Sequence, residues 1–209
     1  MMPSLLKSTA YRAQLAFFLA INLVICGLTL TGIDLLAANW RATFSDLAGA
    51  IPPGVGFVAV GAINAILPAD WKARLVFLRW RDPLPGSRAF SDLLTSDNRI
   101  NVKKLKAKHS PLPSAPADQN ALWYQLYRSV SGLPEVAHAH RDFLLNRDLA
   151  VMSILLLAIA APLSAAYAAK PALVLAAIYA GEYLLFRLAA ANCGKRFVTT
   201  VLAIKSTQR

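Results

Sequence analysis

With 209 residues, of which 56% are hydrophobic and 16% are charged, this chain lies outside the usual balance of soluble domains, which are about half apolar and a quarter charged. Its 22 lysines and arginines against 11 aspartates and glutamates give a net charge of +11, which in so apolar a chain predicts cytoplasmic segments that face anionic lipid. The two cysteines, Cys26 and Cys193, exclude a small secreted domain held together by several disulfides.

Four apolar segments are long enough to cross a bilayer as helices. A hydrocarbon core of about 30 Å requires roughly 20 helical residues. The segments are Leu15–Ala38, Leu47–Leu67, Leu149–Ala169 and Ala172–Ala191. The first is longer than the apolar region of a cleaved signal peptide, about 7 to 15 residues. The sequence therefore predicts an all-α polytopic membrane protein whose four transmembrane helices form two hairpins.

The positions of lysine and arginine predict the orientation of the spans. Nineteen lie before the first span, between the second and third, or after the fourth, and two lie in the other connections. Because translocation of positive charge is disfavoured, we expect both termini and the segment between the second and third spans in the cytoplasm. The predicted organisation is an N-terminal transmembrane hairpin (1–67), a cytoplasmic helical domain (68–148), a C-terminal transmembrane hairpin (149–191) and a basic cytoplasmic tail (192–209).

The second span has two interpretations, because Pro52, Pro53, Gly54 and Gly56 lie in its outer half. In one, a regular helix begins after Pro53, since proline is common in a first helical turn. In the other, the helix is broken or re-entrant and lines a cavity, where protein or water replaces the lost backbone hydrogen bonds. The first interpretation is favoured.

Glu182 is the main candidate for an intramembrane functional site. An ionisable side chain near the middle of a span costs at least about 2.5 kcal/mol, so it should face protein or water. Asn22 and Ser153 are candidate partners from other spans, and Arg187 is expected to extend towards the cytoplasmic interface. Glu182 either takes part in permeation or gating, or is a neutral group that fixes helix packing.

The first part of the cytoplasmic domain alternates tryptophans with arginines directly after a span. Residues 70–81 therefore predict a helix in the lipid headgroup layer, which Pro83 and Pro85 end. A basic cluster follows, which can hold anionic lipid, contact nucleic acid or form a solvated face; it consists of Lys103, Lys104, Lys106 and Lys108. Nucleic acid is the least favoured of the three, because no nucleic-acid-binding motif accompanies the lysines.

An amphipathic helix is predicted after Asp118, its expected cap. Its apolar stripe consists of Leu122, Trp123, Leu126, Tyr127 and Val130. The next helix is predicted to run unbroken from Pro134 into the third span. The aromatic residues of the stripe either form a surface for a partner or belong to the core, and core is the commoner outcome at this spacing. Gly194 followed by Lys195 and Arg196 predicts a helix stop.

No familiar catalytic, cofactor-binding or metal-binding motif occurs in the sequence. His138 and His140 are two residues apart in a predicted helix, so they point to different faces, and we expect both on the surface. An enzyme acting on lipid, with Arg79, Arg81 and Arg88 on a headgroup phosphate, is a third hypothesis that lacks a nucleophile or a base.

Three stretches resemble a group of uncharacterised small bacterial four-span membrane proteins: FLRWRDPLPGSRAF at 77–90, NALWYQLY at 120–127 and RDFLLNRD at 141–148. In architecture alone, four short-looped spans around a cytoplasmic helical domain are similar to membrane subunits and effectors of anti-phage defence systems, of the Kiwa type or triggered by cyclic nucleotides. This resemblance implies membrane-associated effector activity and assigns no site residues.

The sequence thus predicts a non-enzymatic inner-membrane protein that forms homo-oligomers, needs no cofactor, and binds a soluble cytoplasmic partner protein or ligand. Its most specific form is a defence-system membrane subunit. Trp123, Tyr127, Arg81 and Arg88 are the candidate partner surface, and the cluster from Lys103 to Lys108 is the candidate contact with anionic headgroups. The alternative is a small oligomeric channel or transporter with Glu182 in its pathway.

Overall fold

The structure is a computed structural model that describes residues 9–30, 62, 66–165 and 169–208, and these residues contain helices and no strand. The all-α prediction is therefore confirmed. The helices are α1 (Thr9–Leu30), α2 (Ala69–Phe77), a short 3-10 helix (Pro85–Arg88), α3 (Val102–His109), α4 (Pro116–Val130), α5 (Pro134–Ala165) and α6 (Ala169–Thr207).

Two helices in the described ranges are long and apolar enough to cross a membrane, Thr9–Leu30 and Lys170–Thr207. The prediction of four spans is thus supported for the first and the fourth only. The second predicted span, including the question of a break at Pro52 and Pro53, falls almost entirely outside the described residues. The third is described only as far as Ala165, as the later part of α5.

The chain divides into two compact units. One, called the basic unit here, contains Ala69–Arg147 and Arg187–Arg209; the other, the apolar unit, contains Lys7–Pro68 and Asp148–Phe186. The end of the chain was predicted to be a separate tail, but it belongs to the basic unit because Phe197, Val198, Val201 and Leu202 are buried there. Burial of four large apolar side chains makes this segment part of the core.

α6 continues for more than three turns beyond Gly194, so the predicted helix stop is wrong. An added Cβ at Gly194 would lie 2.8 Å from Cζ of Phe77 and 3.1 Å from Cε2 of Phe143. The glycine is needed because two aromatic rings pack against the helix at this point. The prediction for α5 is confirmed, since one helix runs from Pro134 through Phe143 to Ala165.

Two other helix ends differ from the prediction. α2 ends at Phe77 rather than near Arg81, with Leu78 at φ 51° and Asp82 at φ 47°. A left-handed residue directly after a helix closes it, and Pro83 disfavours helical backbone at Asp82. α4 begins at Pro116 with Ala115 as its N-cap. Asp118 is therefore not the cap and instead lies in the first turn, where its charge favours the helix dipole.

The basic unit has its own apolar core, and α4 is held against the segment that contains the 3-10 helix. Gln119 is only 2% exposed. Its Oε1 accepts hydrogen bonds from the backbone N–H groups of Phe90 and Ser91, both at 3.0 Å, and its Nε2 donates to the carbonyl of Ser114 at 2.8 Å. A buried amide with three bonds of this kind fixes the path of the chain after the 3-10 helix.

We expect Gly86→Ala to destabilise the chain by about 1 to 3 kcal/mol, as overpacking usually does. An added Cβ would lie 2.5 Å from Oδ1 of Asn120 and 2.6 Å from Cε3 of the buried Trp123. The matched control is Gly132→Ala, because a Cβ there has no atom within 4 Å. Thermal unfolding of the detergent-solubilised chain, followed by tryptophan fluorescence, measures both. Equal midpoints for the two variants would contradict the packing argument.

Candidate functional site

The aromatic residues predicted as a partner surface lie in a cluster that joins α4, α5 and α6. Trp123 is 6% exposed, and its ring stacks on Tyr127 at 5.7 Å and meets Phe197 edge-on at 5.2 Å. A side chain this buried cannot contact a partner without unfolding its surroundings. Trp123 is therefore a core residue rather than part of a partner surface, and Tyr127 is half-buried beside it.

His140 also lies in this aromatic cluster, whereas it was predicted to be on the surface; His138 is exposed as expected. The His140 ring stacks on Phe197 with centroids 4.5 Å apart, and its Nδ1 is 3.0 Å from the hydroxyl of Tyr127. Burial, together with the smaller effect of the charge of Arg147, lowers the pKa of His140 to about 4. Because the imidazole is neutral near pH 7, its Nδ1 accepts a hydrogen bond from the Tyr127 hydroxyl.

A cleft of about 450 Å³ opens on the basic unit. One wall comes from the loop after the 3-10 helix, with Arg88, Asp92, Ser96 and Asp97, and Leu93 lies among them. The other wall is one face of α6, which carries Lys195, Arg196 and Thr199. The loop wall is held in place by Gln119, and the α6 wall by Phe197, which is buried in the aromatic cluster.

The charges in this cleft are partly paired. Asp97 accepts hydrogen bonds from Arg99, with Nη2 to Oδ2 at 2.7 Å, and these bonds hold the pKa of Asp97 well below its usual range. Arg196 donates to Oδ2 of Asp142 at 2.7 Å. Burial and the neighbouring Arg79 both lower the pKa of Arg88, while Asp92 raises it.

The segment that follows α2 forms an exposed surface of tryptophans and arginines. Trp80 is 74% exposed and Leu78 is 63% exposed. Trp80 meets Trp71 edge-on at 6.1 Å, and the guanidinium of Arg74 lies 4.8 Å from the centre of the Trp71 ring. Arg81, a predicted partner contact, is exposed in the same segment. Exposed tryptophans beside arginines are typical of surfaces at the lipid headgroup level.

The predicted lysine cluster lies on α3. Lys103, Lys104, Lys106 and Lys108 are exposed, and Leu105 on the same helix is fully buried. The helix is capped by Asn101, whose side chain accepts a hydrogen bond from the backbone of Lys104 at 3.0 Å. The four ammonium groups therefore face solvent along a fixed helix.

The apolar unit contains a polar cluster at Glu182. The Glu182 carboxyl lies within hydrogen-bonding reach of the side chains of Asn22 and Ser153, and both of those residues are fully buried. Nδ2 of Asn22 uses one of its two N–H groups on the carbonyl of Phe18 at 3.0 Å, which leaves the second for the Glu182 carboxyl. Oγ of Ser153 lies 3.0 Å from the carbonyl of Leu149, to which it donates. Oδ1 of Asn22 and Oε2 of Glu182 are buried and have no hydrogen-bond partner in the described residues.

Of the residues predicted for the intramembrane site, the structure brings together Glu182 and its two predicted partners, Asn22 and Ser153. Arg187 belongs to the basic unit instead, where its Nη1 donates to the backbone carbonyl of Val76 at 3.3 Å. Residues four positions apart share a helix face, whereas Glu182 and Arg187 are five apart. The cluster at Glu182 is therefore built from side chains of α1, α5 and α6.

Comparison of the chain with protein-family models, curated proteins and solved structures finds no match. Within residues 9–30, 66–165 and 169–208, no group of three or more histidines, cysteines, aspartates or glutamates is placed to hold a metal ion. The interpretation of the sites depends on their own geometry and charge.

Sequence reasoning missed the cleft, because its walls come from segments about 100 residues apart. The signal was present in α6: the spacing of Phe197, Val198, Val201 and Leu202 is that of one buried helix face. That face places Lys195, Arg196 and Thr199 along another side of the same helix. Gly194, interpreted as a helix stop, concealed this pattern.

We expect acid to destabilise the basic unit through His140. Its folded-state pKa of about 4 lies below the unfolded value of 6.5, so the stability gained from neutral histidine is fully present above pH 6.5 and is lost as the pH falls towards 4. The loss is on the order of 2 to 3 kcal/mol. Thermal unfolding between these pH values, compared with His140→Phe, measures it. Parallel pH profiles for the two proteins would exclude this role for His140.

Proposed function

We propose that this chain is a non-enzymatic bacterial inner-membrane protein whose cytoplasmic helical unit binds a partner protein or ligand. The observation that carries the proposal is the cleft of the basic unit, about 450 Å³ in volume and lined by three cationic, two acidic and two hydroxyl side chains and one leucine. Binding sites of this kind are concave and carry a few converging polar groups. Its most specific form is the membrane subunit or effector of an anti-phage defence system.

Membrane anchoring is assigned to the apolar unit. Its part of α6 has leucines exposed on the outside of the fold, with Leu173 at 72% and Leu185 at 64%. Exposed leucines on a helix long enough to span are suited to contact with lipid tails. The excess of lysine and arginine outside the apolar segments favours an orientation with the basic unit in the cytoplasm.

The surface formed by Trp71, Leu78, Trp80 and Arg81 supports a position of the basic unit close to the headgroup layer. Each cation near such a surface contributes about 1 kcal/mol of attraction to anionic lipid. The exposed lysines of α3 are further cations that would attract the basic unit to anionic lipid. We also propose that the protein forms homo-oligomers through the apolar unit, since transmembrane helices can associate with one another.

The full chain, tagged and purified in mild detergent from its native host, is expected to retain one soluble protein in fixed stoichiometry. Arg81→Glu reverses an exposed charge beside Trp80 and should reduce the captured protein at least about fivefold, because charge reversal at an interface adds repulsion. Arg141→Glu, also exposed but on α5, is the matched control and should retain the partner. Quantitative mass spectrometry measures all three. A wild-type homo-oligomer with no soluble protein bound would contradict the proposal.

A second candidate function, a small channel or transporter, is favoured by the polar cluster at Glu182. Oδ1 of Asn22 and Oε2 of Glu182 are buried and have no hydrogen-bond partner in the described residues, and a proton on the carboxyl or a bound cation would provide one. Ionisable groups placed among apolar helices often mark such pathways.

We expect Glu182→Gln to reduce proton or monovalent-cation flux into liposomes at least about tenfold, because the amide can neither release a proton nor carry a charge. The midpoint of thermal unfolding should stay close to that of the wild type, since glutamine keeps the size and the hydrogen-bonding groups. Glu135→Gln, an exposed carboxyl in the basic unit, is the control. Unchanged flux in Glu182→Gln would leave Glu182 with a packing role only.

A further inference from the structure

The cleft between the loop at 88–97 and α6 has a net positive charge once its internal pairs are counted. Asp97 is neutralised by Arg99 at 2.7 Å, and Arg196 is neutralised by Asp142 at 2.7 Å. Arg88 and Lys195 are then opposed by Asp92 alone among the lining residues. The cleft is therefore suited to an anion rather than to a cation.

Of the residues that line the cleft, Arg88 has the environment that most favours a bound anion. Its Nε is buried and has no hydrogen-bond partner in the described part of the chain. Its guanidinium lies 5.6 Å from the centre of the Phe77 ring, on the apolar side of the cleft wall. Burial and the like charge of Arg79 both act against its cationic form. A bound anion would supply the missing acceptor and offset the repulsion between the two arginines.

Hydroxyl groups complete the lining. Ser96 lies on the loop wall and Thr199 on the α6 wall, where their hydroxyls donate to the backbone carbonyls of Leu93 at 2.8 Å and Arg196 at 3.3 Å. Guanidinium, ammonium and hydroxyl groups together are the side chains that most often bind phosphate oxygens, because each donates hydrogen bonds and two of them carry charge. A volume of about 450 Å³ exceeds what a bare phosphate fills and lies in the range of sites for organic ligands, about 300 to 1,000 Å³.

We infer that this cleft binds a phosphate-bearing organic anion, with Arg88 and Lys195 as the groups that contact the phosphate. The inference deepens the proposed function, since it names the chemical class of ligand that the basic unit receives. The same chemistry is offered by a soluble phosphorylated metabolite and by the headgroup of an anionic phospholipid. Asp92 limits the affinity by its opposing charge.

The experiment uses the full chain in nanodiscs and has one arm for each source. In phosphatidylcholine nanodiscs, inorganic pyrophosphate is titrated by isothermal calorimetry. In nanodiscs that also contain phosphatidylglycerol, native mass spectrometry counts the phosphatidylglycerol molecules retained after the disc is removed. We expect saturable binding in one of the arms and a loss of about tenfold in affinity or occupancy in Lys195→Gln, the usual effect of removing one charged hydrogen-bond donor.

Three further variants make the result specific to the cleft. Arg141→Gln removes an exposed cation from α5, outside the cleft, and should bind as the wild type does. Asp92→Asn removes the opposing charge and should tighten binding several-fold. Arg88→Gln should weaken binding as Lys195→Gln does. Because Arg88 packs on Phe77, circular dichroism checks whether the Arg88→Gln protein keeps the helix content of the wild type. If it does not fold, Lys195→Gln, at an exposed position, is the variant that tests the inference.

Each outcome decides the inference. Pyrophosphate binding that depends on Lys195 supports a soluble ligand, and phosphatidylglycerol retention that depends on Lys195 supports a lipid headgroup. Binding that is equal in Lys195→Gln and wild type in both arms, or absent from both, overturns the inference. Partner capture by Lys195→Gln is measured separately. Partner capture without phosphate binding would overturn the cleft assignment and leave the proposed function standing, whereas phosphate binding without any captured partner would restrict the function to ligand binding.

Discussion

The stacking of aromatic rings around Phe197 is the interaction on which the basic unit depends. Phe197 of α6 meets Trp123 of α4 edge-on at 5.2 Å and stacks on His140 of α5 at 4.5 Å. Phe197 lies more than 50 residues after the other two rings in the sequence, and at the point where the three helices meet it fixes how they are rotated against one another. Aromatic pairs contribute about 0.5 to 1.5 kcal/mol beyond the burial of their area. Gly194 and Gly86 lack a side chain, so the backbone at each position can lie against an aromatic ring that an added Cβ would touch.

The rotation of α6 has a functional consequence, because it decides which side chains line the cleft. With Phe197 buried, Lys195, Arg196 and Thr199 lie along the α6 wall. Gln119 holds the opposite wall through two hydrogen bonds to the backbone at Phe90 and Ser91. A cleft with both walls fixed before a ligand arrives loses little entropy on binding, which favours affinity. The cleft and the aromatic core are thus products of one packing arrangement.

The apolar unit is governed by a different constraint, the cost of buried polar atoms among apolar helices. Tyr179 is fully buried and donates its hydroxyl proton to the backbone carbonyl of Asn22 at 3.2 Å. Asn22 donates one N–H to the carbonyl of Phe18 and has a second within reach of the Glu182 carboxyl, but its own Oδ1 and Oε2 of Glu182 are buried without a partner in the described residues. Buried acceptors without a donor are costly, and a proton on the carboxyl or a cation beside it would remove that cost. This connects the packing of the unit to the second candidate function.

The sequence by itself determined the helical class, the apolar segments, the unbroken helix from Pro134 and the apolar stripe of α4, because these follow from composition and from local periodicity. It also named Asn22 and Ser153 as partners of Glu182, since few polar residues occur in the apolar segments. Only the tertiary structure decided that Trp123 and His140 lie in the aromatic cluster and that Gly194 lies inside α6. A glycine that ends a helix and a glycine that admits an aromatic ring look alike in sequence. The cleft, too, depends on contacts between segments about 100 residues apart, which no local pattern specifies.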